Sequence, residues 1–395
     1  MGREESLNPR ERRATLGLAA IYGSRMLGLF LILPVFALYA EHLPSATPVL
    51  TGIAIGIYGL TQAALQIPFG LASDRIGRKP VIMAGLILFA VGSVVAATAD
   101  DIWTIIAGRA IQGSGAIAAA VMALLADLTR DSHRTRAMAT VGVTIGFSFT
   151  VALIAGPLFN TWIGVPGLFW LTAALALLGI AILLVAIPTP ERSSVHAEAE
   201  PVPALFGKVL RNPQLLRLDL GIFCLHLVLT ALFLAVPLEL VEAGLAVERH
   251  AWLYLPVMLG GMGLMVPFVI KAEKGGKMKE VFLGAVGLLG LAQIGLYAME
   301  GSLWGLGLAL LAFFTAFNLL EATLPSLVSK LAPGAIRGTA MGVYSTSQFT
   351  GAFIGGLTGG WVHQHYGTTM VFVTSAIVTL IWLLAAQGME VPEKG

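Results

Sequence analysis

Gly70-Leu71-Ala72-Ser73-Asp74-Arg75-Ile76-Gly77-Arg78-Lys79-Pro80 separates two long apolar runs, residues 51–72 and 81–98, and its reading decides the fold. At ~1.5 Å of rise per residue, either run as a helix crosses a hydrocarbon core ~30 Å thick. The charged stretch between them therefore sits at a membrane face. Gly70 lets a neighbouring helix approach closely, Gly77 permits a turn that a Cβ would resist, and Pro80 suits the first turn of the next helix. Asp74, Arg75, Arg78 and Lys79 then form a charge cluster in fixed geometry. An ordinary orienting loop would explain the basic residues, but neither the two glycines nor the Asp-Arg pair.

Composition agrees with that reading. The 395 residues are 57% hydrophobic and 12% charged, against about 25% charged in soluble domains. This is the composition of a polytopic, all-α membrane protein. The net charge of +2 points to no partner, and nothing supports nucleic-acid binding. Cys224 is the single cysteine, so an intramolecular disulfide and a cysteine-built metal centre are both excluded. No cofactor and no metal are expected. Met1–Arg13 is polar, and the apolar run after it is too long for a signal-peptide core and lacks a small-residue cleavage pattern, so it reads as a retained first span.

Hydropathy predicts twelve spans, at about 14–40, 50–72, 80–98, 102–125, 136–162, 166–188, 214–241, 250–270, 280–298, 303–328, 338–362 and 368–388. An even number puts both termini on one side. With that side cytoplasmic, its segments hold 21 of the 24 basic residues; Arg249 alone lies opposite, while Arg25 and Arg109 fall inside spans. The positive-inside bias thus predicts cytoplasmic termini. The expected organisation is an N-terminal tail (1–13), a six-helix bundle (14–188), a cytoplasmic linker (189–213), a second bundle (214–388) and a short tail (389–395). Within the linker, residues 204–210 are weakly amphipathic and suit a membrane surface.

The second bundle repeats the first. At a shift of 203 residues, Leu31 to Pro34 align with Leu234 to Pro237, and Arg134, Ala137, Met138 and Gly156 align with Arg337, Ala340, Met341 and Gly359. At a shift of 199, Asp74-Arg75 and Gly77-Arg78 return as Glu273-Lys274 and Gly276-Lys277. Apolar helices can match by chance, but coincident loop charges argue for two pseudo-symmetric halves.

The opening stretch follows the pattern G-x-L-a-D-r-x-G-r-k, and so resembles the signature loop between helices two and three of the major facilitator superfamily. Gly108-Arg109-Ala110-Ile111-Gln112-Gly113-Ser114-Gly115 looks like the second motif of that family. Gly142 through Gly146 to Gly156-Pro157 resembles its antiporter motif, although Leu158-Phe159-Asn160 replaces two further glycines and plain helix packing uses the same spacing. Nearly the whole chain resembles the twelve-span drug/proton antiporters of the bacterial inner membrane. It stops a few residues past the twelfth span, so an extra cytoplasmic C-terminal domain found in one such protein is not expected. The resemblance implies a monomeric secondary transporter that rocks two bundles around a central site. It further implies that Asp74 holds the outward-open state against the start of the eleventh helix, near Gly338. Asp127, Arg134 and Arg136 are the expected partners in that cluster.

Ionisable residues within spans are functional candidates, because burying a charge costs at least ~2.5 kcal/mol at a helix centre unless it is paired or wet. Arg109 thus needs a partner or a cavity. Arg25 and His226 fall near mid-span in corresponding helices, so the two are expected to face each other across a central cavity. Glu321 lies in the tenth span with Asn318 one turn before it on the same face. A satisfied core histidine and a structural salt bridge are the plainer accounts of His226 and Glu321. Proton exchange needs a group that gains and loses a proton, which an arginine cannot do. Apolar surroundings move a carboxyl toward its neutral form within the physiological range and move an imidazole out of it, so Glu321 is favoured as the coupling residue over His226. The expected function is proton-coupled efflux of a small lipophilic or drug-like compound. Proton symport or facilitated uptake of a metabolite is the alternative, and a receptor or scaffold that kept the fold is the alternative from another class. With no nucleotide-binding loop, an ATP-driven pump is excluded unless another subunit powers it. No enzymatic chemistry is expected.

Overall fold

The computed structural model describes residues 7–190 and 202–390, and all regular structure among them is helical. In the first half, α1 (Pro9–Phe30) and α2 (Leu33–Ala40) form one span, broken where Pro34 has no backbone N–H to continue the ladder. There follow α3 (Pro48–Ile76), α4 (Arg78–Ala97), the broken span α5 (Ile102–Ser114) and α6 (Ala118–Asp127), and α7 (Asp131–Val185). The last of these holds two spans, joined at Gly164, where φ is 65°. After a short helix, α8 (Phe206–Val209), the second half comprises α9 (Pro213–Glu242), α10 (His250–Glu273), α11 (Met278–Ala298), α12 (Leu303–Leu331), α13 (Gly334–Tyr366) and α14 (Thr369–Ala386). Among the described residues, ten runs are long and apolar enough to cross a membrane. Counting α7 twice, and adding α13, whose Gly, Ser, Thr and Gln residues lower its hydropathy, is consistent with the twelve expected spans.

Helix starts are written locally. Asn8-Pro9, Thr47-Pro48 and Asn212-Pro213 each place an N-cap side chain before a proline at the first helical position. Asn8 and Glu11 complete a capping box, so the first helix begins within the stretch expected to be a polar tail. The charged hairpin is shorter than its sequence suggests: α3 ends at Ile76, α4 starts at Arg78, and the connection is Gly77 alone, with φ at 99°. The linker residues 191–201 lie outside the described residues. Of the amphipathic segment, α8 packs against the start of α13, and the Val202 N–H donates to Thr339 Oγ1 at 2.9 Å.

The repeat shows in backbone and packing alike. Gly276 shares with Gly77 a positive φ, at 66°. Gly156 lies against the Leu31 carbonyl and Pro34, and its counterpart Gly359 lies against Ala231 and Leu234. Helices one and five of the first bundle thus cross as seven and eleven do in the second.

Helices α1 and α14 respectively begin and end on one side, here the near face. The two halves meet chiefly toward the far face. Along α3, Gly52, Gly56 and Gly59 receive the backbone of α13 at Gly356, Phe353 and Phe349, so closely that a Cβ on Gly56 would stand 2.9 Å from Phe353 Cα. One buried apolar cluster runs across both halves there, from Ile32 and Phe36 to Leu232 and Phe233. A second, from Leu18 to Leu183, belongs to the first half alone. Trp103, Trp162, Trp252, Trp304 and Trp361 are exposed near the far ends of their helices, the position of an interfacial aromatic belt.

Candidate functional site

The second bundle holds a polar cluster at mid-depth. His226 on α9 lies with Nε2 2.8 Å from Gln348 Nε2 on α13 and 4.0 Å from Glu321 Oε2 on α12, while its Nδ1 meets the Ile222 carbonyl one turn earlier. Glu321 is about a third exposed (33% of its side chain), yet its Oε2 is buried without a hydrogen bond. Asn318 Nδ2, one turn away, is likewise buried and unpaired. Donor and acceptor capacity is therefore left over in a confined space, which is what a site for a proton or a polar ligand group requires. Aromatic rings cover it on the far side. Phe317 is 6.1 Å from the His226 ring, and Phe149 of the first half meets Phe317 at 5.6 Å, Phe233 and Phe314 at 6.3 Å and Phe30 at 5.0 Å.

Arg25 does not join this cluster, contrary to the expectation that it faces His226. It turns into its own bundle, donating to Gln62 Oε1 at 2.7 Å and to the Gly115 carbonyl at 2.8 Å, where the break between α5 and α6 leaves that carbonyl accessible. Its guanidinium carbon lies 5.5 Å and 5.2 Å from the Tyr58 and Phe89 ring centres. Arg109 finds partners rather than a cavity: the Ala54 and Ile55 carbonyls at 3.3 Å and Gln112 Oε1 at 2.9 Å, with Tyr58 again beneath it at 5.2 Å. Gln112 is fixed in turn by donating to Ser93 Oγ at 2.7 Å. Two buried cations thus share one tyrosine ring and neutral oxygens, and neither forms an ion pair among the described residues.

At the near face Arg78 is the hub. It pairs with Asp74 and, at 3.4 Å, with Asp127, and donates to Ser73 Oγ at 2.8 Å. Ser73 donates to the Gly70 carbonyl, and Gly70 itself faces Ala119 on α6. Lys79 Nζ reaches the Ile187 carbonyl at 2.7 Å. Arg75 and Arg136 are exposed. Asp74 therefore meets Arg78 here, while the start of α13 near Gly338 is occupied by the linker segment. The repeated copy is rewired: Glu273, the counterpart of Asp74, pairs at 2.8 Å with Lys330, which stands where the first half has Asp127.

Two arrangements escaped the sequence reading. Arg130 grips Glu11 with Nε and NH2 at 2.8 and 2.9 Å, tying the start of α1 to the end of the fourth span; the Asn8-x-x-Glu11 capping box was its only local signal. Asp219 on α9 is buried, and its Oδ2 is unpaired. It sits close enough to a helix start to pass for a surface charge.

A sequence model of the Major Facilitator Superfamily matches residues 18–279 and 264–394. The chain belongs to the major facilitator superfamily. It is 50% identical over 386 residues to the inner membrane transport protein YajR of Escherichia coli, covering 98% of this chain and 85% of that one. It is 26% identical to the multidrug resistance protein MdtH of Aeromonas hydrophila over 91% of each chain. The structure of a D-xylose-proton symporter superposes with a TM-score of 0.74 at 17% identity, over 97% of each chain, which speaks to fold alone. Members of this superfamily are transporters and not enzymes.

Proposed function

We propose that this transporter is a proton-coupled exporter of the bacterial inner membrane, monomeric and with both termini cytoplasmic, which exchanges protons for a small lipophilic compound. The observation that carries the reading is the mid-depth cluster, where Glu321 faces His226 at 4.0 Å and keeps an unpaired oxygen. Open to the far, periplasmic side, Glu321 takes up a proton and releases the bound compound. Open to the near side, it gives the proton up and becomes free to hold the next compound. With the halves sealed along α3 and α13 at the far face, the conformation described above corresponds to the inward-open end of that cycle. The rings of Phe149, Phe314 and Phe317 suit an apolar or aromatic substrate body. The relationship to a multidrug resistance protein supports the same substrate class. In this reading Gly70, Asp74, Arg75, Gly77, Arg78, Lys79, Asp127, Arg134, Arg136 and Gly338 form the gate that selects which side is open, and Arg25 and Arg109 tune the field around the site.

The test is reconstitution into liposomes carrying a pH-sensitive dye, with ethidium as the lipophilic probe. Glu321→Gln, which has the shape of the protonated carboxyl, is expected to bind the probe but to lose more than about tenfold of the flux that a pH gradient drives, the loss of one ~1.4 kcal/mol step. His226→Gln is expected to weaken coupling without removing it. Unmutated proton-driven flux in Glu321→Gln would reject the assignment, and unchanged coupling in both variants would indicate uniport.

A further inference from the structure

The helices around Glu321 place a second carboxylate between it and the near face. Asp219 lies six residues after Pro213 on α9, ~9 Å from the near end, whereas His226 lies ~20 Å in on the same helix. Asp219, Phe223 and His226 follow an i, i+4, i+7 spacing, so they share one side of α9. Tyr344, ten residues into α13, and Glu321, ten residues before the end of α12, both stand at ~15 Å, in between. Tyr344 stands one turn before Gln348, which meets His226 at 2.8 Å while His226 meets Glu321 at 4.0 Å, so it lies on the side of α13 that faces this cluster. Its hydroxyl is buried and unpaired, as are Glu321 Oε2 and Asp219 Oδ2. Three buried oxygens with spare capacity thus form a ladder in depth.

Among the described residues no cation is paired with Asp219. Of the helices packed on α9, α14 carries no charged side chain, and α2 carries none. On α12, Lys330 is held by Glu273 at 2.8 Å. On α3, Asp74 is held by Arg78, and Arg75 is exposed. Arg337, at the start of α13, makes no ion pair with it among the described residues. Arg217, two residues away on α9, packs its guanidinium against Gly388 instead. A carboxylate kept in such surroundings without a partner is a functional group rather than a structural one.

We propose that Asp219 is the proton exit group of the inward-open state, with the Tyr344 hydroxyl passing the proton to it from Glu321. This rests on the coupling role of Glu321 given above. Glu321 gives its proton to the Tyr344 oxygen as that hydroxyl gives its own to Asp219. Glu321 is left ionised and Asp219 neutral, and Asp219 then releases the proton to water at the near face. Tyr344 and Asp219 are then back in their starting states, and Glu321 regains its proton from the far side in the outward-open state, so that one proton has moved per cycle.

The experiment uses the full chain in nanodiscs with Cys224 replaced by serine and fluorophores on cysteines at Arg12 and Lys277, exposed positions on the near ends of the two halves. A stopped-flow pH jump reads the rate at which energy transfer relaxes, and equilibrium titration reads the midpoint. Asp219→Asn is expected to leave the midpoint in place and to slow relaxation by ~10²-fold, the lower end of what a positioned proton-transfer group contributes. Tyr344→Phe should behave alike, and Asp219→Glu should restore the rate. A purely structural role would move the midpoint or the amplitude, not the rate alone. Relaxation of Asp219→Asn at the unmutated rate overturns the relay, and should that variant not fold, the same result in Tyr344→Phe does so. Loss of every pH response in Glu321→Gln would leave the coupling reading standing whichever way the relay falls, whereas an unmutated protein that does not respond to pH would refute both.

Discussion

Arg25 and His226 were expected to meet because they occupy corresponding spans, but correspondence fixes depth and not direction. Depth was legible in the sequence; facing was not, since it depends on which neighbours supply acceptors. Arg25 turned toward Gln62, the Gly115 carbonyl and two aromatic rings, and a broken helix that frees a carbonyl leaves only the faint signature of clustered glycines. Asp219 was overlooked for a related reason, because nothing in one sequence says that a carboxylate near a helix start is buried. Glu321 and Asn318, by contrast, were readable as neighbours from their i, i+3 spacing. Arg25 keeps Nε and NH1 buried without partners, an arrangement that favours function over stability. A buried charge with unfilled donors carries a desolvation penalty that its two hydrogen bonds only partly offset, and an uncharged side chain of similar volume removes that penalty. Arg25→Met is therefore expected to hold or raise the melting temperature of the purified protein while lowering ethidium flux in liposomes. A lower melting temperature with undiminished flux would show that Arg25 is part of the scaffold alone.

At the scale of elements, the all-helical, many-span architecture followed from hydropathy, with a count consistent with twelve, and the breaks within the spans did not. Pro34 interrupts the first span and Gly115 to Ile117 interrupt the fourth, whereas Gly164, with φ at 65°, is the turn between the fifth and sixth spans that the hydropathy already separated. The opening motif shows how local rules yield to function. Asp74 sits in the last turn of α3 and Arg78 in the first turn of α4, each on the wrong end for the helix dipole. Pairing them through a buried guanidinium, with Asp127 as the second carboxylate, offsets that conflict and fixes the geometry of the junction. Burial also selects the probe for sidedness: Ser73 is fully buried by Arg78 and Gly70, while Ile76 is 66% exposed. Single cysteines at Ile76 and at exposed Glu248, with Cys224 replaced, are expected to react with an impermeant maleimide from opposite sides, Glu248 from outside intact cells. Outside labelling at Ile76 would invert the topology that the basic residues imply.

For the whole molecule, the α3–α13 seam and the Asp74 cluster lie at opposite ends of the same helix, eighteen residues or ~27 Å apart between Gly56 and Asp74. In the rocking model each end opposes the other. A side chain at Gly56 must displace the α13 backbone at Phe353, and overpacking of this kind costs ~1–3 kcal/mol. Gly56→Leu should therefore destabilise the sealed far face and shift the population toward outward-open by ~5–150-fold. Asp74→Asn acts in the other direction if its carboxylate holds the outward-open state at the N-terminus of α13, an interaction worth ~0.3–1 kcal/mol and up to ~2 when partly buried. Electron–electron resonance distances report both, with spin labels at Asp100 and Glu248 across the far face and at Arg12 and Lys277 across the near face. The far-face distance is expected to lengthen in Gly56→Leu and the near-face distance to lengthen in Asp74→Asn. Sites this far apart with no shared partner should combine additively, within ~0.3–0.5 kcal/mol. The double variant should consequently lie between the two single ones, at the sum of their shifts. If Asp74→Asn left both distances unchanged, or if the double variant departed from that sum, the two ends would not be acting on one rocking equilibrium.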